Sequence, residues 1–151
     1  MLNFKNTAAN PSSANLSNNN PSRITAYDHV GIRVTDRKRS LSFYKSLGFV
    51  ETSTFPEFDA NEMETPYGVR INLIFNGTKR EGNKNILLDE AVKLPGITHP
   101  AFVVDNLKAL MDWFDSHSIN ITEGPKCIGP RRRAIFIRDP DGNVLEFNEL
   151  L

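Results

Sequence analysis

Apolar and polar positions alternate through residues 24–35, and the apolar members Ile24, Val30, Ile32 and Val34 are mostly β-branched, which predicts a half-buried strand. The period then lengthens. Leu41, Tyr44 and Leu47 share one face of a helix predicted over 37–47, opened by Asp36 as its cap and ended by Gly48. Residues 49–55 return to a strand pattern, 61–64 are ambiguous, and 69–75 read as a strand that stops at Asn76-Gly77. Residues 78–94 are charged and punctuated by glycine, so they predict a connector with at most a short strand or turn at 85–88. A strand follows at 97–104. Asn106 then caps a helix reaching about Ser118, with Leu107, Leu110, Met111 and Phe114 inward. Residues 119–123 and 133–138 predict strands, Asp139-Pro140-Asp141-Gly142 a tight turn, and 143–149 the closing strand of a hairpin.

The order strand, helix, strands thus occurs twice, and the residues repeat with it. His29 and His99 stand 70 positions apart, and at that offset Val34 meets Val104, Leu41 meets Met111, Phe43 meets Trp113 and Tyr44 meets Phe114. A histidine returning at the head of an apolar strand points to one site built twice. Residues 1–23 are of another kind, rich in Asn, Ser and Pro and poor in large apolar groups. They cannot bury enough surface to offset chain entropy, which predicts a disordered tail. The remainder, 24–151, is expected to be one domain: a module at about 24–77, a linker at about 78–95 and a second module at about 96–151.

Composition narrows the partners. Eighteen basic residues balance eighteen acidic ones, so no global field favours nucleic acid, a membrane surface or an acidic substrate. The one concentrated charge is Arg131-Arg132-Arg133, with Arg138 nearby; it predicts a solvated strand edge or, through Arg133, an anion contact for the substrate. A single cysteine, Cys127, excludes an internal disulfide and fits a reducing compartment. No apolar run approaches the roughly 18 residues of a membrane span. The N-terminal residues show neither a leader nor a transit pattern. A cytoplasmic protein acting on a small molecule is the expectation.

The chemistry is suggested by polar residues inside apolar strands. Glu146 sits among Val144, Leu145 and Phe147, where a carboxylate is costly to bury unless paired or bound to metal. Asn72, between Ile71 and Leu73, holds the matching place in the first half. The duplicated units therefore offer four inward polar positions: His29, Asn72, His99 and Glu146. A lone histidine at a strand start is more often a structural residue. Two at matching positions, with a strand-embedded glutamate, form a set that holds a divalent first-row metal and leaves positions open for substrate.

At His29 to Phe49, His99 to Asn106 and Asp139-Pro-Asp-Gly-Asn-Val-Leu-Glu146, the chain resembles the vicinal oxygen chelate superfamily. That group includes glyoxalase I, extradiol dioxygenases, fosfomycin-resistance thiol transferases and methylmalonyl-CoA epimerase. The resemblance covers about residues 24–150. It implies an α+β fold of two βαβββ modules whose curled mixed sheet forms a cup around a metal site, with the helices outside. It also implies His29, His99 and Glu146 as ligands to one divalent ion (Ni, Zn, Co, Mn or Fe).

In the glyoxalase I pattern the first half carries a second glutamate where this chain has Asn72. An amide is no proton acceptor, so Glu146 would be the only base, and Asn72 would reach the metal through water. Arg33 and Asn76 match the positions that contact glutathione in glyoxalase I, which would make glutathione a co-substrate; Tyr67 is the tyrosine placed to sit near the cup. The resemblance favours a lyase or isomerase working through a metal-stabilised enediolate. An Fe(II) dioxygenase is the alternative, followed by a thiol transferase or a ligand-sequestering protein of the bleomycin-resistance kind. Superfamily habit and exposed strand edges imply a homodimer.

Overall fold

The computed structural model describes residues 21–151, so the expectation of a disordered tail falls almost wholly outside the described residues. The chain runs β1 (Val30–Arg33), α1 (Arg37–Ser46), β2 (Val50–Phe55), β3 (Ala60–Glu64) and β4 (Arg70–Ile74). After the connector come β5 (Ala101–Val103), α2 (Leu107–Ser116), β6 (Ile121–Ile128), β7 (Arg132–Arg138) and β8 (Val144–Leu150). Each half is a βαβββ module with its own four-stranded mixed sheet, ordered β1-β4-β3-β2 and β5-β8-β7-β6. The fold is α+β.

In each module the first strand lies parallel to the last, and the other pairs are antiparallel. Gly31 pairs with Asn72, and Ala101 pairs with Glu146. Asn72 and Glu146 are therefore structural equivalents, each opposite the residue two beyond its module's histidine.

Several predicted boundaries move, each for want or presence of a partner strand. The strand expected over 24–35 narrows to Val30–Arg33, the span that β4 can pair. The one expected over 97–104 narrows to Ala101–Val103; Pro100 just before it has no N–H to give a ladder. The ambiguous residues 61–64 belong to β3, which both β2 and β4 flank. The strand expected over 119–123 instead runs to Ile128, because β7 pairs with it as far as Arg132. At 85–88 there is a turn: Asn85 Oδ1 accepts from the backbone N–H groups of Leu87 and Leu88 at 3.0 and 3.1 Å.

Both helices begin as the sequence suggests. Asp36 Oδ1 accepts from the Arg39 N–H at 2.7 Å, and Asn106 Oδ1 from the Ala109 N–H at 2.8 Å. Tyr44 and Phe114, equivalent positions in the repeat, are fully buried in one core that also holds Ile71, Leu73, Ile137, Leu145 and Phe147. The modules join through that core, with Phe49 and Phe102 in edge contact at 5.9 Å between ring centres. Trp113 of α2 also crosses the junction, donating its indole N–H to the Ser46 carbonyl at 3.0 Å while stacking on His117.

The Asp139–Gly142 turn does more than reverse the chain. Asp139 is buried, and its oxygens accept from the Tyr44 hydroxyl at 2.9 Å, from the Asn143 amide at 2.8 Å and from two backbone N–H groups. Asp141 accepts from the Thr35 hydroxyl, the Thr35 N–H and the Arg39 guanidinium at 2.6–2.9 Å. Asn143 donates to the Arg33 carbonyl at 3.0 Å. This turn of the second module is thus bolted onto the β1–α1 corner of the first.

The connector is pinned to the same turn. Gly142 has φ of +85°, and a Cβ there would overlap the Asn83 carbonyl, so only glycine admits the connector so closely. Asn85 donates to the Gly142 carbonyl at 3.2 Å. Asp89 forms a two-pronged pair with Arg138 at 2.5 and 2.7 Å, and that hydrogen-bonded guanidinium holds the Asp89 carboxyl down at about 2.

Candidate functional site

His29 ends the stretch that leads into β1, and His99 stands just before β5, so the repeat places both imidazoles at the same corner of their modules. Both line one cleft of about 730 Å³, within the range of small-ligand sites. The cleft is lined by β1, by residues 97–100 ahead of β5, by Asp141, Asn143 and the start of β8, and by connector residues, among them Asn83, Lys84 and Leu87.

Each imidazole is held by its Nδ1, and each time by the residue immediately before it. His29 Nδ1 lies 2.5 Å from Asp28 Oδ2, and Arg70 on β4 holds the other Asp28 oxygen at 2.6 Å. The hydrogen bond with His29, and then the Arg70 charge, keep the Asp28 carboxyl below its usual range. His99 Nδ1 lies 2.9 Å from the Thr98 hydroxyl. Nitrogen Nε2 is therefore the one each ring keeps for another partner, the arrangement that orienting groups give to metal-binding histidines. Sequence reasoning passed over Asp28 and Thr98; a polar residue before the histidine in both repeats was the available signal.

Glu146 is 5% exposed, and its Oε2 lies 2.8 Å from His99 Nε2. Where that carboxylate is ionised it only accepts, so the proton between them is then on Nε2 and Nδ1 accepts from the Thr98 hydroxyl. The other Glu146 oxygen, Oε1, is buried with no hydrogen-bond partner, and so is Asn72 Oδ1 at the equivalent place in the first module. Two residues beyond Glu146 on the same strand face, Asn148 Oδ1 is buried and unpartnered as well. Buried unpartnered oxygens are costly, and two of these three, on Asn72 and Glu146, stand at repeat-equivalent positions. Asn148 was not singled out from the sequence, although Glu146 and Asn148 alternate on one strand face.

The donor types are chemically suited to a divalent ion, and of them His99 and Glu146 are in direct contact. His29 lines the cleft together with His99, whereas Glu146 and Asn72 do not line it, and among the described residues no three His, Cys, Asp or Glu side chains come close enough together to hold a metal. The remaining candidates divide. Arg33 lines the cleft, and its Nε donates to the Asn76 carbonyl oxygen at 3.0 Å, so these two form one unit at the rim. Tyr67 is 88% exposed in the β3–β4 turn, and neither it nor Arg133, exposed on β7, lines the cleft.

The family model for the glyoxalase/bleomycin resistance protein/dioxygenase superfamily matches residues 26–147. The chain belongs to that superfamily. No curated protein matches it. An integron cassette protein from the mobile metagenome of V. cholerae is 26% identical, over 85% of this chain and 97% of that one, with a TM-score of 0.62. The fosfomycin resistance protein FosX from Listeria monocytogenes shares the fold at 13% identity and a TM-score of 0.63, over 83% of this chain and 91% of its own. So does TnmS3, an antibiotic binding protein from Streptomyces sp. CB03234, at 18% identity and a TM-score of 0.64, over 86% and 99%. The superfamily thus contains both enzymes and binding proteins on one scaffold. Fold alone does not choose between them.

Proposed function

We propose that this superfamily member is a divalent-metal-dependent enzyme of the glyoxalase type, moving a proton between neighbouring carbons of a small substrate. Glu146 carries the reading. It is a buried carboxylate with one oxygen on a half-buried histidine and the other without a partner, a poor structural element and a good ligand and base. His29, His99 and Glu146 would hold the ion, with Asn72 reaching it through water. A bound divalent cation would supply Lewis-acid polarisation of the substrate. The chain does the rest. Asp28 and Thr98 hold the imidazoles by Nδ1 and so reserve Nε2 for ligation, Glu146 would take the acidified proton and return it to the neighbouring carbon, and Arg33 with Asn76 would position the polar end of the substrate or of a glutathione adduct.

Calorimetric titration of chelator-stripped protein with Ni(II), Zn(II), Mn(II) and anaerobic Fe(II) tests this. One ion per site is expected, with His99→Ala and Glu146→Ala each weakening binding by at least about 100-fold. Equal affinity in wild type and both variants would remove the reading. A second reading, a ligand-sequestering protein, draws on the separation of His29 from the His99–Glu146 pair and on the fold shared with TnmS3. Ligand binding without turnover by the metal-loaded protein would favour it.

We further propose that the protein works as a homodimer. Among the described residues β1 and β5 each leave one edge without a partner strand, and Val103 of β5 exposes apolar surface there. Sedimentation equilibrium should return twice the 17.0 kDa chain mass. A monomer at micromolar concentration would refute it.

A further inference from the structure

The connector side of the cleft has a chemistry that the metal reading leaves unused. Its lining carries three cations, Arg33, Arg80 and Lys84, against one carboxylate, Asp141. Asp141 is spent, with both oxygens bound to Thr35 and one also to Arg39. Arg80 is paired with Glu90 at 3.2 Å. That leaves two cations with capacity. Arg33 is fixed through Nε by Asn76, which leaves its two terminal amino groups for a forked contact. Lys84 has no ion-pair or hydrogen-bond partner among the described residues.

Lys84 is nevertheless not on a loose strand of chain. Its neighbours Asn83 and Asn85 both pack on Gly142, and the Asn85 N–H donates to Asp89 at 2.7 Å, itself locked to Arg138. The ammonium therefore projects from a backbone held on both sides. The same wall is apolar elsewhere: Ile86 and Ile97 line the cleft while 50% and 82% exposed, and Leu87, Val30 and Pro100 adjoin them. Large aliphatic groups left open to water beside two unspent cations describe the complement of an amphiphile.

We propose that this cleft takes a small oxyanion-headed amphiphile, its head received by Arg33 and Lys84 and its apolar body laid against Ile86, Leu87 and Ile97. The inference deepens the proposed function by assigning a substrate class to the same cleft, and it rests on that cleft being the working site. It adds Lys84 and the connector wall as the elements that select for charge.

The test uses metal-free protein held in chelator, so that no affinity passes through a bound ion. Hexanoate, hexyl phosphate, hexan-1-ol and hexylammonium are titrated while backbone amide shifts are followed by NMR. Hexanoate or hexyl phosphate should bind at least about 10-fold more tightly than hexan-1-ol, hexylammonium should not bind, and shifts should centre on residues 84–87 and 97. Lys84→Gln and Arg33→Gln should each weaken the anion about 5- to 10-fold and leave hexan-1-ol unchanged, in proteins whose circular dichroism matches wild type. Comparing the two anions shows whether the head is a carboxylate or a phosphate. Equal affinity for hexan-1-ol and the anions, or anion affinity untouched in Lys84→Gln, would overturn the proposal. Metal uptake is read separately. Anion binding without metal binding sinks the enzyme reading and keeps this one, and the reverse result sinks this one alone.

Discussion

Turnover in the Glu146→Gln protein is expected to fall by about 10²- to 10⁴-fold, the usual contribution of a positioned general base. Glutamine preserves the volume and one carbonyl oxygen, so packing between Leu145 and Phe147 should survive. What is lost is an acceptor that can hold a proton. The amide also presents an N–H₂ group that cannot accept from His99 Nε2, which disturbs the 2.8 Å contact. A purely structural Glu146 would show its loss in thermal stability with kcat unchanged. A basic Glu146 would show it in kcat, with KM altered much less. Stopped-flow and steady-state rates on the substrate, beside a thermal melt, separate the two. A Glu146→Gln protein with wild-type kcat would end the assignment.

The second large effect is on stability. Asp139→Ala removes an acceptor serving the Tyr44 hydroxyl, the Asn143 amide and two backbone N–H groups, and it leaves the buried Tyr44 hydroxyl unpartnered. The loss should be on the order of 3 kcal/mol, because desolvated donors are stranded as well as bonds broken. The melting temperature should fall by roughly 6–12 °C. Burial raises the Asp139 carboxyl above its ordinary 3.8, against hydrogen bonds that pull it down. The folded state therefore binds this proton more tightly than the unfolded chain. Its contribution is fully present below the ordinary value and declines as pH rises through the raised one. The gap between wild type and Asp139→Ala should accordingly be widest near pH 4 and narrow at higher pH. A gap that instead grew with pH, followed by urea denaturation, would show that hydrogen bonding outweighs burial here.

Much of this architecture was legible because the repeat doubles every signal. Two capped helices, a histidine before each first strand and a polar residue in each last strand could be matched at fixed offsets, and the strand register confirms that Asn72 and Glu146 are equivalent. Strand ends were misjudged because a strand extends only as far as its neighbour, and periodicity carries no information about neighbours. Residues 24–29 have a strand-like pattern but no pairing β4 residue. The Asp139–Gly142 turn was read correctly as a turn but not as the bolt between modules, since its partners Thr35, Arg39 and Tyr44 lie about a hundred positions away. The connector was the least legible segment. Its charged, glycine-broken sequence looks like a solvated tether, yet Gly142 and Arg138 hold it against the cleft. Arg133 attracted notice through a local run of charge, whereas Lys84, a single cation in that tether, gave no sequence signal at all.

The indole that bridges the modules has a practical consequence for optical experiments. Trp113 is the protein's one tryptophan, it stacks on His117 with ring centres 3.6 Å apart, and its N–H is committed to Ser46 in the other module. Neither Trp113 nor His117 lines the cleft. Its emission is therefore a gauge of whether the two modules are docked, and ligand entering the cleft should leave the spectrum largely untouched.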